Sequence, residues 1–96
     1  MELKSKYKLS YTLDRELKDL VLEVELRLRE GMLQKFQNIW EGHAKLNGQP
    51  YTKVDLSHCV NPKSAAEKIG HNLRDEIKSN AKKEGKSFRV KKEEVS

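Results

Sequence analysis

Ninety-six residues, 35% apolar and 36% charged, make one domain near the lower end of what buries a self-sufficient core. The apolar residues fall in periodic runs, which excludes an evenly diluted disordered chain. The formal net charge is +5, and the single cysteine, Cys59, excludes an internal disulfide.

No apolar run reaches the length of a membrane span, and "MELKSKYKLS" lacks a signal-peptide core. With the lone cysteine, this predicts a cytoplasmic protein. A chain this small often completes its core or covers its strand edges as a homodimer.

The first element is an alternating run. Leu3, Tyr7, Leu9, Tyr11 and Leu13 share one face, while Lys4, Lys6, Lys8, Ser10 and Thr12 share the other. In "DLVLEVELRLRE" the period is again two, with Leu20, Leu22, Val24, Leu26 and Leu28 on one face. A helix over the same residues would expose Leu22 and Leu26, so the pattern predicts a strand. The two runs flank "DRELKD", read as a hairpin loop. The proposed register sets Leu13 opposite Leu20, Tyr11 opposite Leu22, Leu9 opposite Val24 and Tyr7 opposite Leu26. It also sets Lys8 against Glu25, Lys6 against Arg27 and Lys4 against Arg29, and the last two pairs would repel unless an anion intervened.

After Gly31 the period becomes 3.6. Met32, Leu33, Phe36, Ile39, Trp40 and Ala44 form one stripe of a predicted helix to about Asn47, ended by Gly48. "TKVDLSHCV" alternates weakly and suits a short strand or an irregular lead-in. A second helix starts at Asn61 as N-cap with Pro62 at its first position, and Ser64 with Glu67 offers a capping box one turn later. It turns Ala66, Ile69, Leu73 and Ile77 inward and stops at Gly85. Phe88 and Val90 suggest a short third strand. The predicted class is α+β: an N-terminal β-hairpin, two helices packed on one sheet face, and a short C-terminal strand. Residues 1–85 would form the domain and 86–96 a short strand or basic flexible tail.

No catalytic motif, Gly-rich phosphate loop or carboxylate cluster with metal spacing is present. His43, His58, His71 and Cys59 are the candidate soft metal ligands, but only His58 and Cys59 are close in sequence, and neighbours on extended backbone point apart. Glu67 and His71 are spaced to meet on a helix surface, with no nucleophile beside them. The reading is therefore a non-enzymatic protein without cofactor or metal. Residues 1–60 carry ten Lys/Arg against nine Asp/Glu, whereas residues 61–96 carry ten against six. That late excess points to nucleic acid, with Lys82, Lys83, Lys86, Arg89, Lys91 and Lys92 as the main phosphate contacts and Lys4, Lys6 and Lys8 as secondary ones. The rival reading is a protein-interaction module that inhibits or redirects a host enzyme, anchored by a sheet edge or by Tyr51.

"YKLSYTLDRELKDLVLEVEL" followed by "KFQNIW" resembles a group of small phage lambda early-region proteins. The likeness rests on the Tyr-bearing strand Tyr7–Leu13, the acidic/aliphatic strand Leu20–Leu28 and the Asn-x-Trp-like element at Gln37–Trp40, and covers the first half of the chain. Members of that group are sometimes labelled single-stranded-DNA-binding. The resemblance implies a phage or mobile-element accessory protein and transfers no site residues.

Overall fold

A computed structural model describes residues 2–29, 39–56, 59 and 61–96 of the chain. Strands β1 (Glu2–Leu13), β2 (Glu16–Arg29), β3 (Ile39–Leu46) and β4 (Gln49–Pro50) are followed by helix α1 (Pro62–Lys83) and strand β5 (Phe88–Val95). All pairings are antiparallel, and the sheet order is β4-β3-β2-β1-β5. Among the described residues the expected hairpin carrying two helices is thus replaced by a five-stranded sheet carrying one helix.

The hairpin turn is tighter than "DRELKD" suggested. Leu13 pairs with Glu16, leaving Asp14 and Arg15 as the turn, with φ of 53° and 72°. Two successive left-handed residues match the twist of a two-residue hairpin. The register follows: Leu9 faces Leu20, Tyr7 faces Leu22 and Leu3 faces Leu26. The expected pairing was displaced by four residues along β2. An even displacement keeps every apolar residue on its face, so alternation alone could not distinguish the two registers. The true register sets Lys4 against Glu25 and Lys6 against Glu23, so the repulsive pairs with Arg27 and Arg29 do not occur.

The helix expected to run to Asn47 is corrected over its second half, because residues 39–46 form β3. Met32, Leu33 and Phe36 of the expected stripe lie outside the described residues, and Trp40 stands opposite Leu28 in the ladder. The decisive local signal is "NG". Asn47 and Gly48, with φ of 51° and 82°, make a two-residue turn that pairs Leu46 with Gln49. Asn47 also fastens the hairpin to β2: its Oδ1 accepts from the Val21 N–H and its N–H donates to the Val21 carbonyl, each at 2.8 Å. Residues 51–56 are irregular rather than a strand.

Helix α1 begins as its sequence requires. The Asn61 side chain accepts from the N–H groups of Lys63 (3.0 Å) and Ser64 (3.3 Å), with Pro62 just inside. Gly85, at φ 69°, takes the left-handed position after the last turn. The helix lies over β1 and β2 and reaches β5. Over β3 the cover is the irregular segment, with buried Leu56 packed on Gly42. The core is Tyr7, Leu9, Tyr11, Leu20, Leu22, Val24, Ala44, Leu56 and Ala66, with Ile69, Leu73, Ile77, Phe88 and Val95 packed against it. No helix among the described residues is long and apolar enough to cross a membrane.

Helix and sheet approach closely at Gly70. A Cβ there would overlap the ring of Tyr7, which is fully buried. Gly70→Ala would gain about 1 kcal/mol of helix propensity but overpack by about 1–3 kcal/mol. We expect the variant to be less stable in urea denaturation. A raised midpoint would mean that the Tyr7 ring can retreat and that the close approach is dispensable.

Candidate nucleic-acid interface

In "FRVKKEEV" the apolar residues sit at 88, 90 and 95, so a regular strand cannot place all three on the core face. A β-bulge reconciles them. Tyr11 pairs with Val90 but Ser10 pairs with Lys92, which makes Lys91 the extra residue. Phe88, Val90, Glu93 and Val95 therefore stand opposite the core-facing residues of β1, whereas Arg89, Lys92 and Glu94 stand opposite its polar residues.

On the helix side this brings Glu93 into a polar cluster. Its carboxylate accepts from the Tyr7 hydroxyl (2.5 Å) and from Arg74 Nη1 (2.7 Å), and His71 Nε2 lies 3.7 Å away. The His71 ring meets the Tyr7 ring edge-on at 5.7 Å. The Tyr7 hydroxyl above all, and then Arg74, hold the Glu93 carboxyl below its ordinary range. Burial, reinforced by Glu93, pushes the Tyr7 phenol far up. His71 thus faces Glu93 of β5 rather than completing an isolated surface pair with Glu67. The cluster fastens the edge strand to both the helix and β1.

The helix-free face of the sheet is a lattice of opposite charges. Lys6 and Lys45 flank Glu23, Lys4 and His43 flank Glu25, and Glu94 stands opposite Lys8. Lys6 reaches Glu23 at 3.7 Å, and Arg27 grips Glu25 with two nitrogens at 2.9 and 3.4 Å. The hydrogen bond from Arg27 is the main reason that the Glu25 carboxyl lies below its usual range. Lys4 and Lys6 therefore have glutamates opposite them and Lys8 lies beside Glu94; all three share this face with Arg89 and Lys92 but stand farther along β1 from the hairpin turn.

The remaining predicted contacts converge on the hairpin-turn end. Four residues join the end of α1 to β5, and the Asp14 N–H donates to the Ser87 carbonyl at 2.8 Å, pinning the junction to the turn. Lys82 and Lys83 end the helix, Lys86 lies in the connection, and Arg89, Lys91 and Lys92 follow on β5. Residues 82–92 carry six cations against Glu84 alone, an excess of five that equals the net charge of the whole chain. Two of the six are committed: Lys86 pairs with Glu84 at 3.1 Å and Lys92 with Glu94 at 2.6 Å.

At this corner Thr12, Arg15, Ser87, Phe88, Arg89 and Lys91 line a cleft of about 460 Å³. Arg15, Arg89 and Lys91 have no carboxylate partner among the described residues. Leu17, 67% exposed, stands opposite Thr12 on the neighbouring strand and adds an apolar contact beside the cations. Arg15 and Leu17 were missed because the longer loop assigned to "DRELKD" hid the place of Arg15 beside β5 and that of Leu17 on β2 opposite Thr12. Their signal was the alternation of Thr12 and Leu17 about a two-residue turn.

A second cleft, also about 460 Å³, lies between α1 and the β3–β4 turn, lined by Leu20, Leu46, Pro50, Tyr51, Leu73 and Ile77 among others. Tyr51 is a half-buried wall of that cleft, with its N–H bonded to the Ala44 carbonyl. Among the described residues no group of three or more His, Cys, Asp or Glu could hold a metal, and His58 lies outside them. No family model, curated protein or solved structure matches the chain.

The Glu93 cluster has a pH signature. A carboxylate held below its usual range stabilises the folded chain above about pH 4.3, the ordinary glutamate value, and that stability is lost as pH falls through the folded value. Glu93→Gln should cost about 1–3 kcal/mol at neutral pH, because Arg74 loses its shorter ion pair and keeps only Asp75 at 3.2 Å. The gap between the two proteins should close as denaturation is repeated from about pH 6 to about pH 3. A gap independent of pH would show that the Glu93 charge does not hold β5 in place.

Proposed function

We propose that the chain is a small non-enzymatic accessory protein that binds nucleic acid through the hairpin-turn end of its sheet. The observation that carries this reading is the corner cleft, where three cations without carboxylate partners meet two hydroxyls and Phe88. Arginine forks, an ammonium and hydroxyls are the donor set that phosphate oxygens accept from. Such contacts position a strand and carry little sequence information. Lys82 and Lys83, exposed on the last turn of α1, extend the positive field, and Leu17 offers an apolar surface to sugar or base. Lys4 and Lys6 are left out of this interface, since Glu25 and Glu23 stand opposite them, and Lys8 is left out because it lies four residues along β1 from Thr12 of the cleft.

A second reading, docking of a protein partner, is favoured by the cleft of Leu20, Leu46, Tyr51, Leu73 and Ile77, whose walls are largely apolar. The two readings use different surfaces, so variants separate them.

The test is fluorescence anisotropy of labelled single- and double-stranded DNA and RNA at about 50 and about 200 mM salt. Three or more phosphate contacts predict a loss of affinity on the order of tenfold across that range. Arg15→Gly is an informative variant because glycine suits the left-handed turn at φ 72° while removing one cation. It should leave the protein at least as stable, weaken binding and lower the salt slope by about one. Absence of binding at low salt, or binding unaffected by reversing Arg89 and Lys91 to Glu, would sink the proposal.

A further inference from the structure

We infer that the corner cleft recognises the phosphorylated end of a nucleic-acid strand, a terminal phosphomonoester, rather than an internal phosphodiester; this rests on the nucleic-acid reading above. Charge matching is the first argument. An internal phosphodiester carries one negative charge and exposes two unesterified oxygens. A terminal monoester carries a charge of about −1.5 to −2 and exposes three. Arg15, Arg89 and Lys91 bring three positive charges to one cleft, and Thr12 and Ser87 add hydroxyl donors. Neither hydroxyl is engaged by another group among the described residues. An internal diester would leave much of that donor set unused, whereas a monoester matches it more closely.

Placement is the second argument. The cleft lies at a corner of the sheet, where the Asp14–Arg15 turn meets the start of edge strand β5. A group that projects from a strand end can enter such a corner without the rest of the strand having to pass through it. Strand alternation sets Arg89 and Lys91 on one side of β5, and both line the recess. The backbone beneath them is held by the Asp14 N–H bond to Ser87, so the donors sit on a fixed frame. A volume of about 460 Å³ leaves room for the sugar that bears the phosphate, with Phe88 as the apolar wall.

The test uses one short single-stranded oligonucleotide sequence in three forms: a 5′-phosphate, a 3′-phosphate, or hydroxyls at both ends. Each is titrated by anisotropy with the full chain at about 100 mM salt, a level at which phosphate contacts still hold. One phosphorylated form should bind about tenfold tighter than the hydroxyl form, the gain expected from charge-assisted hydrogen bonds, and that form identifies the end recognised. The gain should vanish in Arg89→Ala and persist in Lys6→Ala, whose side chain pairs with Glu23 and does not line the cleft. Adenosine monophosphate should compete where adenosine does not. Equal binding of all three forms would overturn the end-recognition inference while leaving the nucleic-acid reading intact. Failure of all three to bind would overturn both.

Discussion

The turn at Asp14 and Arg15 decides which residue of β1 faces which residue of β2, and most later contacts inherit that choice. With both turn residues left-handed, the ladder closes at Leu13 and Glu16 and runs unbroken to Glu2 and Arg27. That register places Tyr7 beside Leu22 and opposite Gly70 of α1. It also pairs each lysine of β1's first half with a glutamate of β2. Lengthening the turn by four residues would keep the same faces but set Lys6 against Arg27, a like-charge contact at close range. Charge pairing therefore specifies what hydrophobic alternation leaves open.

The edge strand depends on a second local choice. Without its bulge, Val90, Lys92 and Glu94 would face α1, and Val95 would turn away from the core. One extra residue restores Val95 to the core and hands Glu93 to Tyr7 and Arg74. The helix can lie close enough to share Glu93 because its inward surface is small where it crosses β1: Ala66 and Gly70 are buried there. A larger side chain at 70 would push Arg74 away from β5 as well as displacing Tyr7. Packing and the polar cluster are thus one arrangement described from two sides.

Much of this was legible in the sequence. The period of two in β1 and β2, the cap at Asn61 and Pro62, and the stop at Gly85 were each set by local rules that tertiary context did not override. Register was not legible, because hydrophobic alternation is blind to even displacements. Strand β3 was missed because Ile39, Trp40 and Ala44 fit a helical stripe as well as they fit the alternation of Trp40, Ala44 and Leu46. The arbiter was Asn47–Gly48, read as a helix stop although it is a hairpin signal. The late lysines were visible as a charge excess, yet only the sheet order brought Arg15 from the first hairpin to their side. Nothing in a one-dimensional pattern says that the last strand lies beside the first.

The cations of β5 also have a simpler use. A free edge strand is a template for unwanted pairing, and charged side chains with a bulge guard against it. That role accounts for Lys92 and Glu94, which neutralise one another on the exposed strand. It accounts less well for Arg89 and Lys91, since edge protection asks for charge of either sign and tolerates pairing. Had protection been the whole requirement, the lattice of the helix-free face, with its lysines against glutamates, would have continued to the corner. Instead the lattice stops, Arg89 and Lys91 stand without an ion pair among the described residues, and Arg15 joins them from the hairpin turn although Asp14 and Glu16 flank it in sequence. Concentrating like charges at one place costs self-repulsion that an even distribution avoids. An anion seated among them would relieve that cost, and this is the physical reason to treat the corner as a binding site rather than as a guarded edge.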